Sequence, residues 1–190
     1  TIMESAIQTF KDNSIELKEH QLDAMKWLVN VETNCDPAGG ILADDMGLGK
    51  TLEALSVILA NRLPHTLIIV PASLVDQWIL EINKFASNLD INVDYPAGDV
   101  TITSFHKAAK RDILREFAWD RIILDEGHYI RNHKTHTHKQ LKEIDADHKW
   151  ILSGTPIQNS LNDLKTLMRF IGAEWGDDDE FGSLVEEHVL

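Results

Sequence analysis

The chain has 190 residues and a formal net charge of −13 at pH 7. This length suits about one domain with a substantial core, and the acidic balance predicts weak long-range attraction to DNA. Any nucleic-acid contact must therefore come from a local cationic surface or from parts of the protein outside this sequence. One cysteine, no membrane-length apolar run and no secretion signal lead us to expect a soluble intracellular protein without internal disulfides.

The first third of the chain begins with a weakly patterned segment and then a periodic one. Residues 1–15 are expected to form a flexible lead or a short helix. From Glu16 to about Val31 the apolar positions have helical spacing. This helix contains Gln21, whose amide can pair through its donor and its acceptor with the N6/N7 edge of adenine. A solvated helix glutamine is the simpler alternative.

A phosphate-binding loop is indicated next. An apolar run at 41–43 stops at a polar, glycine-bearing loop, residues 44–49, and Lys50 and Thr51 then open a second apolar-periodic helix. Glycines allow close approach of the backbone to an anion, and the helix start favours phosphate oxygens. Lys50 can contact the β and γ phosphates, and the Thr51 hydroxyl can bind Mg²⁺. The alternative is a glycine-rich turn with a chance lysine, because Asp44 stands where the strict pattern has glycine.

The segment after this helix alternates between strand and helix signals. Pro64 is expected to end the helix, and TLIIV at 66–70 predicts a buried strand. Ser73 and Asp76 have the spacing of a capping box for the next helix. Residues 87–98 carry turn signals and are expected to form a loop.

A strand and a basic helix are predicted after that loop. VTITSF at 100–105 is rich in β-branched residues and favours a strand. The helix that follows carries a basic group, which we interpret either as a phosphate-facing patch or as a plain solvated face. Its members are Lys107, Lys110, Arg111 and Arg115.

Two carboxylates end the next apolar strand, RIILDEGH at 121–128. Acidic groups at the end of a buried strand are costly unless they have a partner or a task. Ligands of α/β sheets lie at the carboxyl ends of the strands. We therefore expect Asp125 to hold Mg²⁺ opposite Thr51, and Glu126 to activate the attacking water. A strand that simply runs into an acidic turn is the alternative.

Three histidines, His133, His136 and His138, lie in a polar, basic stretch. They raise the possibility of a zinc site, but no cysteine or further carboxylate lies at ligand spacing, and an exposed loop near nucleic acid is the preferred interpretation. A last strand, 150–152, ends in Ser153, Gly154 and Thr155.

The remainder of the chain completes the pattern of an α/β domain. Ser160 and Asp163 have capping-box spacing before an apolar-periodic helix. The acidic tail from Ala173 shows no clear fold of its own. Strands alternating with helices predict a three-layer α/β domain with a mostly parallel central sheet.

Taken in order, these segments resemble the Swi/Snf family of helicase-like ATPases in helicase superfamily two, over about Leu17 to Ile171. They are most similar to the helicase-like transcription factor, transcription-termination factor and viral global-transactivator types. The motifs that carry the resemblance are HQLDAMKWL, GGILADDMGLGKT, LIIVPASLVDQW, VTITSF, ILDEGHYIRN and LSGTPIQNSLNDL.

The resemblance implies a RecA-like, P-loop ATP-binding lobe over 16–172, with a lead at 1–15 and an acidic tail at 173–190 that leads to a second lobe. It implies ATP and Mg²⁺ as cofactors. Gln21 would contact adenine, Lys50, Asp125 and Glu126 would be catalytic, and Thr51 with Asp125 would hold the metal. The loop around the phosphates would be formed by Asp44, Asp45, Met46, Gly47, Leu48, Gly49, Lys50 and Thr51.

The resemblance also implies double-stranded DNA as a partner, with nucleosomes or transcription complexes as candidate substrates. It implies no membrane contact and a nuclear location, which would be the host nucleus for a viral protein. The residues implied in DNA contact or in coupling nucleotide state to DNA are Pro71, Ser73, Thr103, Ser104, His128, Arg131, Asn132, Ser153, Gly154 and Thr155.

Two departures from the family pattern qualify these expectations. The segment between Phe85 and Val100 is shorter than is usual in the family, and the second lobe with its arginine finger is not in this sequence. Such fingers are worth about 10³–10⁵ in rate, so we expect the 190-residue chain alone to bind ATP weakly and to hydrolyse it negligibly. The alternative functions are a strand-separating helicase lobe and a nucleotide-binding interaction module without hydrolysis.

Overall fold

The computed structural model describes residues 1–43, 49–125, 136–154 and 160–190, and its strands form one six-stranded sheet. The spatial order is β1-β6-β5-β2-β4-β3, and every neighbouring pair is parallel. The strands are β1 Gly39–Leu42, β2 Thr66–Val70, β3 Ile91–Val93, β4 Val100–Ser104, β5 Trp119–Asp125 and β6 Ala146–Leu152.

Helices cover both faces of this sheet and make the three layers predicted from the sequence. A short 3₁₀ turn, Ala72–Leu74, precedes α4. The helices are α1 Ile2–Asp12, α2 Glu19–Asn34, α3 Lys50–Ala60, α4 Val75–Phe85, α5 Phe105–Lys110, α6 Asp112–Arg115, α7 His136–Lys142, α8 Leu161–Phe170 and α9 Asp178–His188.

The core is divided by the sheet into two clusters. Alternate residues along β5 show the division, since Ile123 packs with α1 to α4 whereas Ile122 and Leu124 pack with α5 to α9. Because both faces are covered, the strands are apolar without interruption, as in TLIIV. This explains why the predicted bounds 66–70 of β2 are confirmed.

The structure departs from the sequence-based expectations in the 87–98 segment. This segment contains the three-residue strand β3, which pairs with β4 at the edge of the sheet. None of the three β3 residues is buried, so the strand has no apolar run to mark it. Turn signals on both sides therefore dominate the sequence pattern.

Both ends of the chain form helices that contribute to the core. Of the two alternatives for residues 1–15, the structure has the helix, α1, and its Ala6 and Phe10 are fully buried. The acidic tail differs from expectation, because 178–188 form α9 with Phe181 and His188 buried. Three acidic residues lie in the first turn of α9, where the helix dipole favours them.

The two predicted capping boxes have different outcomes. Ser160 caps α8, since its hydroxyl accepts the backbone N–H of Asp163, as expected. The prediction for Ser73 is wrong, because Ser73 lies inside the 3₁₀ turn and α4 begins after Leu74 without a side-chain cap. The preceding helix, α3, ends at Ala60 rather than near Pro64. Among the described helices, none has both the length and the apolar character of a bilayer-crossing segment.

Candidate functional site

A cleft with a volume of about 500 Å³ lies at the carboxyl edge of the sheet. Parallel strands end at the same edge, so this is where the topology of an α/β sheet brings ligand-binding groups together. Its walls are formed by the start of α3, one side of α4, the end of β5 and the residue two positions after β6. The lining residues are Gly49, Lys50, Thr51, Leu52, Leu74, Gln77, Trp78, Glu81, Phe85, Asp125 and Gly154.

The start of α3 has the geometry of an anion-binding helix end. Gly49 is the N-terminal flanking residue and has φ of +89°, a conformation that side-chain-bearing residues rarely adopt. A Cβ at this position would lie 2.6 Å from Nε2 of Gln21, so a larger residue would both strain the backbone and displace the glutamine amide. The first N–H groups of an α-helix have no partner within the helix, and they favour an anion at this point.

Gln21 is brought to this loop by the fold, although it is 28 positions away in sequence. It is 6% exposed, and its amide nitrogen lies against Gly49. Its carbonyl oxygen accepts the backbone N–H of Lys18 at 2.9 Å. The side chain therefore also stabilises the start of α2, and adenine contact stays a prediction.

Asp125 lies at the end of β5, across the sheet edge from the start of α3. Its Oδ2 accepts a hydrogen bond of 2.7 Å from the indole nitrogen of Trp78 on α4. Thr51 and Asp125 line the same cleft and supply a hydroxyl and a carboxylate oxygen, the ligand type that Mg²⁺ prefers. The side chains in the cleft thus fit a triphosphate with its metal: helix N–H groups and Lys50 for the anion, and two oxygen ligands for the cation.

Several predicted site residues lie outside the described part of the chain. They are Asp44, Asp45, Met46, Gly47 and Leu48 of the loop, Glu126, His128, Arg131, Asn132 and His133, and Thr155. Their assignments stay predictions from the sequence.

The predicted DNA-contact residues of β2 and β4 are neighbours but differ in exposure. Val70 pairs in register with Ser104, so Pro71 and Thr103 lie close to the same edge. Ser73 is exposed in the 3₁₀ turn.

Thr103 does not have the exposure that a direct DNA contact requires. It is fully buried, and its hydroxyl donates to Asp94 Oδ1 at 2.9 Å. Ser104 is 6% exposed, and its hydroxyl accepts the N–H of Lys107 to cap α5. The structure therefore gives both hydroxyls internal partners, which the strand pattern VTITSF alone did not indicate.

Ser153 and Gly154 follow β6 directly beside the end of β1. The backbone N–H of Ser153 donates to the carbonyl of Leu42 at 3.0 Å, and Gly154 lines the cleft. This position is suitable for coupling the cleft to a neighbouring surface, and the coupling role stays a prediction.

Three of the four basic residues at 107–115 have hydrogen-bond partners, two of them carboxylates and the third a backbone carbonyl. Lys107 forms an ion pair with Asp94, and Arg111 donates to the Asp94 carbonyl. Burial alone would raise the pKa of the Asp94 carboxyl, but the hydrogen bonds of Lys107 and Thr103 hold this pKa below its usual value. Arg115 pairs with Asp112 and Glu143. These contacts favour the solvated-face interpretation of the basic group.

A buried charge cluster was not indicated by the sequence. Arg121 on β5 is 0% exposed and forms a two-pronged pair with Glu32 near the end of α2. Glu32 also accepts from the Trp150 indole and the Asn61 amide, each at 2.7 Å. Arg121 donates further to Thr66 Oγ1 and to the Asn61 carbonyl. The cluster therefore joins α2, the residue that follows α3, and three strands.

The charge of this cluster is set by Arg121. Burial alone would raise the pKa of Glu32, but the hydrogen bond and the charge of Arg121, with Trp150 and Asn61, hold this pKa below its usual value of 4.5. Glu32 is thus an ionised, fully hydrogen-bonded partner. In the sequence, the only sign of this pair is an arginine at the start of the apolar run RIIL. Its partner cannot be identified there because it lies 89 positions away.

The histidine stretch is only partly described. His136 and His138 lie on α7, where His136 is exposed and His138 is buried. In the described ranges no group of three or more His, Cys, Asp and Glu side chains is arranged to hold a metal ion. The expected exposed loop is wrong for these two residues, because His136 is exposed at the start of α7 and His138 is buried on the same helix.

Comparisons with known proteins agree with this geometry. The SNF2-related domain family matches residues 20–188. The ATP-dependent DNA helicase DDM1 of Arabidopsis thaliana is 36% identical over 183 residues, which cover 82% of this chain and 23% of that protein. A probable global transactivator of Orgyia pseudotsugata multicapsid polyhedrosis virus is 34% identical over 177 residues, covering 82% of this chain and 35% of the viral protein.

A solved structure has the same fold. The Sulfolobus solfataricus SWI2/SNF2 ATPase core in complex with dsDNA superimposes with a TM-score of 0.81 at 27% identity, covering 93% of this chain and 44% of the archaeal one. The chain thus spans less than half the length of each of these relatives.

Proposed function

The chain belongs to the SNF2-related family, and from this premise we propose that it is the ATP-binding first lobe of a DNA-dependent ATPase that translocates on double-stranded DNA. One observation carries the proposal: Lys50 and Thr51 at the start of α3 line the same cleft as Asp125 at the end of β5. Thr51 and Asp125 are 74 positions apart in sequence, and a cation, a hydroxyl and a carboxylate in one cleft suit Mg²⁺–ATP.

Each residue has a role that follows from its chemistry. The N–H groups that begin at Gly49 and the ammonium of Lys50 bind phosphate oxygens. Thr51 and Asp125 hold Mg²⁺, which neutralises charge on the phosphates. Glu126 follows directly in sequence and acts as the base that orients and deprotonates water. Gln21, packed against Gly49, contacts the adenine.

The DNA-facing surface of the lobe is proposed at the carboxyl edge beside this cleft. Pro71 and the exposed Ser73 contribute from the turn after β2, and Arg131 and Asn132 contribute from the segment after β5. Ser153 and Gly154 couple the nucleotide to this surface. The archaeal ATPase core with the same fold is in complex with dsDNA, which supports duplex DNA as the partner here.

A second RecA-like lobe is proposed to complete the active site, since phosphoryl transfer in such enzymes uses an arginine from outside the first lobe. Nucleosomes or transcription complexes are the proposed substrates, in the nucleus of the cell or of the infected host. Names of relatives that refer to chromatin and to transactivation support this part of the proposal.

The test is ATP hydrolysis by the protein that contains this chain, measured with and without duplex DNA. We expect stimulation by duplex DNA, and we expect Glu126→Gln to bind nucleotide normally while turnover falls below detection. The isolated 190-residue chain should be nearly inactive. ATP turnover by the Glu126→Gln variant would refute the assignment of Glu126 as the base. An ATPase rate that does not change when duplex DNA is added would refute the DNA-dependent motor.

The same protein distinguishes translocation from strand separation. A translocase displaces the third strand of a DNA triplex while leaving a duplex intact. Efficient separation of a forked duplex would support the helicase alternative instead.

A further inference from the structure

The side chain of Trp78 joins α4 to the carboxylate at the end of β5. Its indole N–H donates to Asp125 Oδ2 at 2.7 Å, and the residue is 3% exposed. An indole is a donor only, so its partner oxygen must accept. The bond therefore ties one oxygen of Asp125 to a side chain of α4.

Trp78 is fixed in place by the core. It belongs to the cluster that packs α1 to α4 on the sheet, together with Ile82 one turn further along α4. Because the ring is held on several sides, its N–H has a fixed direction. A carboxylate has about four acceptor positions, so one indole bond orients Asp125 while occupying only one of them.

The same helix begins at the turn that is proposed to meet DNA. Ala72–Leu74 form the 3₁₀ turn, and α4 starts at Val75 without a break. Ser73 is exposed on this turn, whereas Leu74 and Trp78 both line the cleft. The turn and the indole are thus joined by the first turn of a continuous helix.

We infer that Trp78 is a positioning residue that orients Asp125 toward the metal–nucleotide and passes the position of the 72–74 turn to that carboxylate. The inference rests on the proposed function, because it requires Mg²⁺ and nucleotide in the cleft. Groups that orient metal ligands are worth about 10–100-fold in metal affinity or activity. This range gives the size of the expected effect.

The chain offers a matched control for Trp78→Phe. Trp119 is also 3% exposed, and its indole N–H donates to the Leu114 carbonyl at 2.8 Å, at the other end of β5. Trp78→Phe and Trp119→Phe each remove one buried indole hydrogen bond and keep an aromatic ring. A merely structural loss therefore affects both variants, and a loss of carboxylate orientation affects only the first.

The readout is the Mg²⁺ dependence of nucleotide binding in the protein that contains the chain. We expect Trp78→Phe to need at least about tenfold more Mg²⁺ for half-maximal binding, while binding in EDTA is unchanged and Trp119→Phe behaves as wild type. Stimulation of ATPase by duplex DNA should also fall only in Trp78→Phe. Equal Mg²⁺ dependence in the two variants would overturn the inference.

A wild-type measurement covers the case in which Trp78→Phe fails to fold. In ¹H–¹⁵N spectra of the protein that contains the chain, the indole resonance of Trp78 should move when Mg²⁺ is added to nucleotide-saturated protein, and that of Trp119 should not. An unmoved Trp78 resonance in protein that binds Mg²⁺–nucleotide would overturn the inference. Wild-type protein that binds no nucleotide would instead overturn the proposed function, and the inference with it.

Discussion

The two ends of β5 carry side chains of opposite charge that lie in different environments. Arg121, near the start, is fully buried and donates to Glu32, Thr66 and Asn61. Asp125, at the end, is half-buried and lies in the wall of an open cleft. Both residues are on the same face of the sheet, since side chains four positions apart in a strand point the same way.

This difference separates a charge that stabilises the fold from one that lines a cleft of ligand size. Arg121 and its partner satisfy each other inside the protein, where the removal of either leaves a buried unpaired charge. Asp125 accepts the hydrogen bond of the Trp78 indole at the wall of the cleft. Variants at the two ends should therefore affect different measurements, stability at one end and ligand binding at the other.

The largest expected effect is on folding. Arg121→Met leaves the Glu32 carboxylate buried without its cation, and we expect a loss of about 3–5 kcal/mol in the free energy of unfolding by urea. The double variant Glu32→Gln/Arg121→Met removes both charges and keeps an oxygen for the Trp150 indole, so it should recover most of this loss. A double variant as unstable as the single one would show that the unpaired charge is not the cause.

A smaller effect, on ligand binding alone, is expected at the other end. Asp125→Asn keeps an acceptor for Trp78 but removes the charge that attracts Mg²⁺, so Mg²⁺-dependent nucleotide affinity should fall about 10–100-fold. Unfolding in urea should change by less than about 1 kcal/mol. Severe destabilisation by Asp125→Asn would show that Asp125, like Arg121, is needed for the stability of the fold, which would contradict the proposed difference between the two ends of β5.

The smallest effect is a pH dependence of stability. The pKa of Glu32 is lower in the folded protein than its usual value of 4.5, so its contribution is complete above pH 4.5 and is lost as the pH falls through the folded pKa. We expect the urea midpoint of wild type to fall more steeply below pH 4.5 than that of Glu32→Gln/Arg121→Met. Parallel curves would mean that another carboxylate controls acid unfolding.

The sequence predicted those features of the fold that depend on local pattern. The uninterrupted apolar run of β2 and the cap at Ser160 were predicted because each is encoded within a few neighbouring residues. The junction of loop and helix at Lys50 was predicted for the same reason. The position of Asp125 in the cleft followed from the general rule that ligands bind at the carboxyl ends of parallel strands.

The features that were missed depend on distant partners. The pair of Glu32 with Arg121, and that of Trp78 with Asp125, join residues 89 and 47 positions apart. The strand β3 and the helix α9 have few buried residues of their own, so their patterns were weak. Thr103 was expected to contact DNA from the resemblance to the family, but its hydrogen bond to Asp94 becomes visible only in three dimensions.

The last residues of the chain also have a consequence for self-association. Leu190 accepts from the Ala43 N–H and donates to the Ile41 carbonyl, and Val189 bridges to Ile41 in parallel. At the opposite border, β3 is only three residues long. An open sheet border is a template for aggregation. Within the described chain, one border is occupied by the protein's own backbone and the other is short. Both features disfavour the addition of a strand from a second molecule.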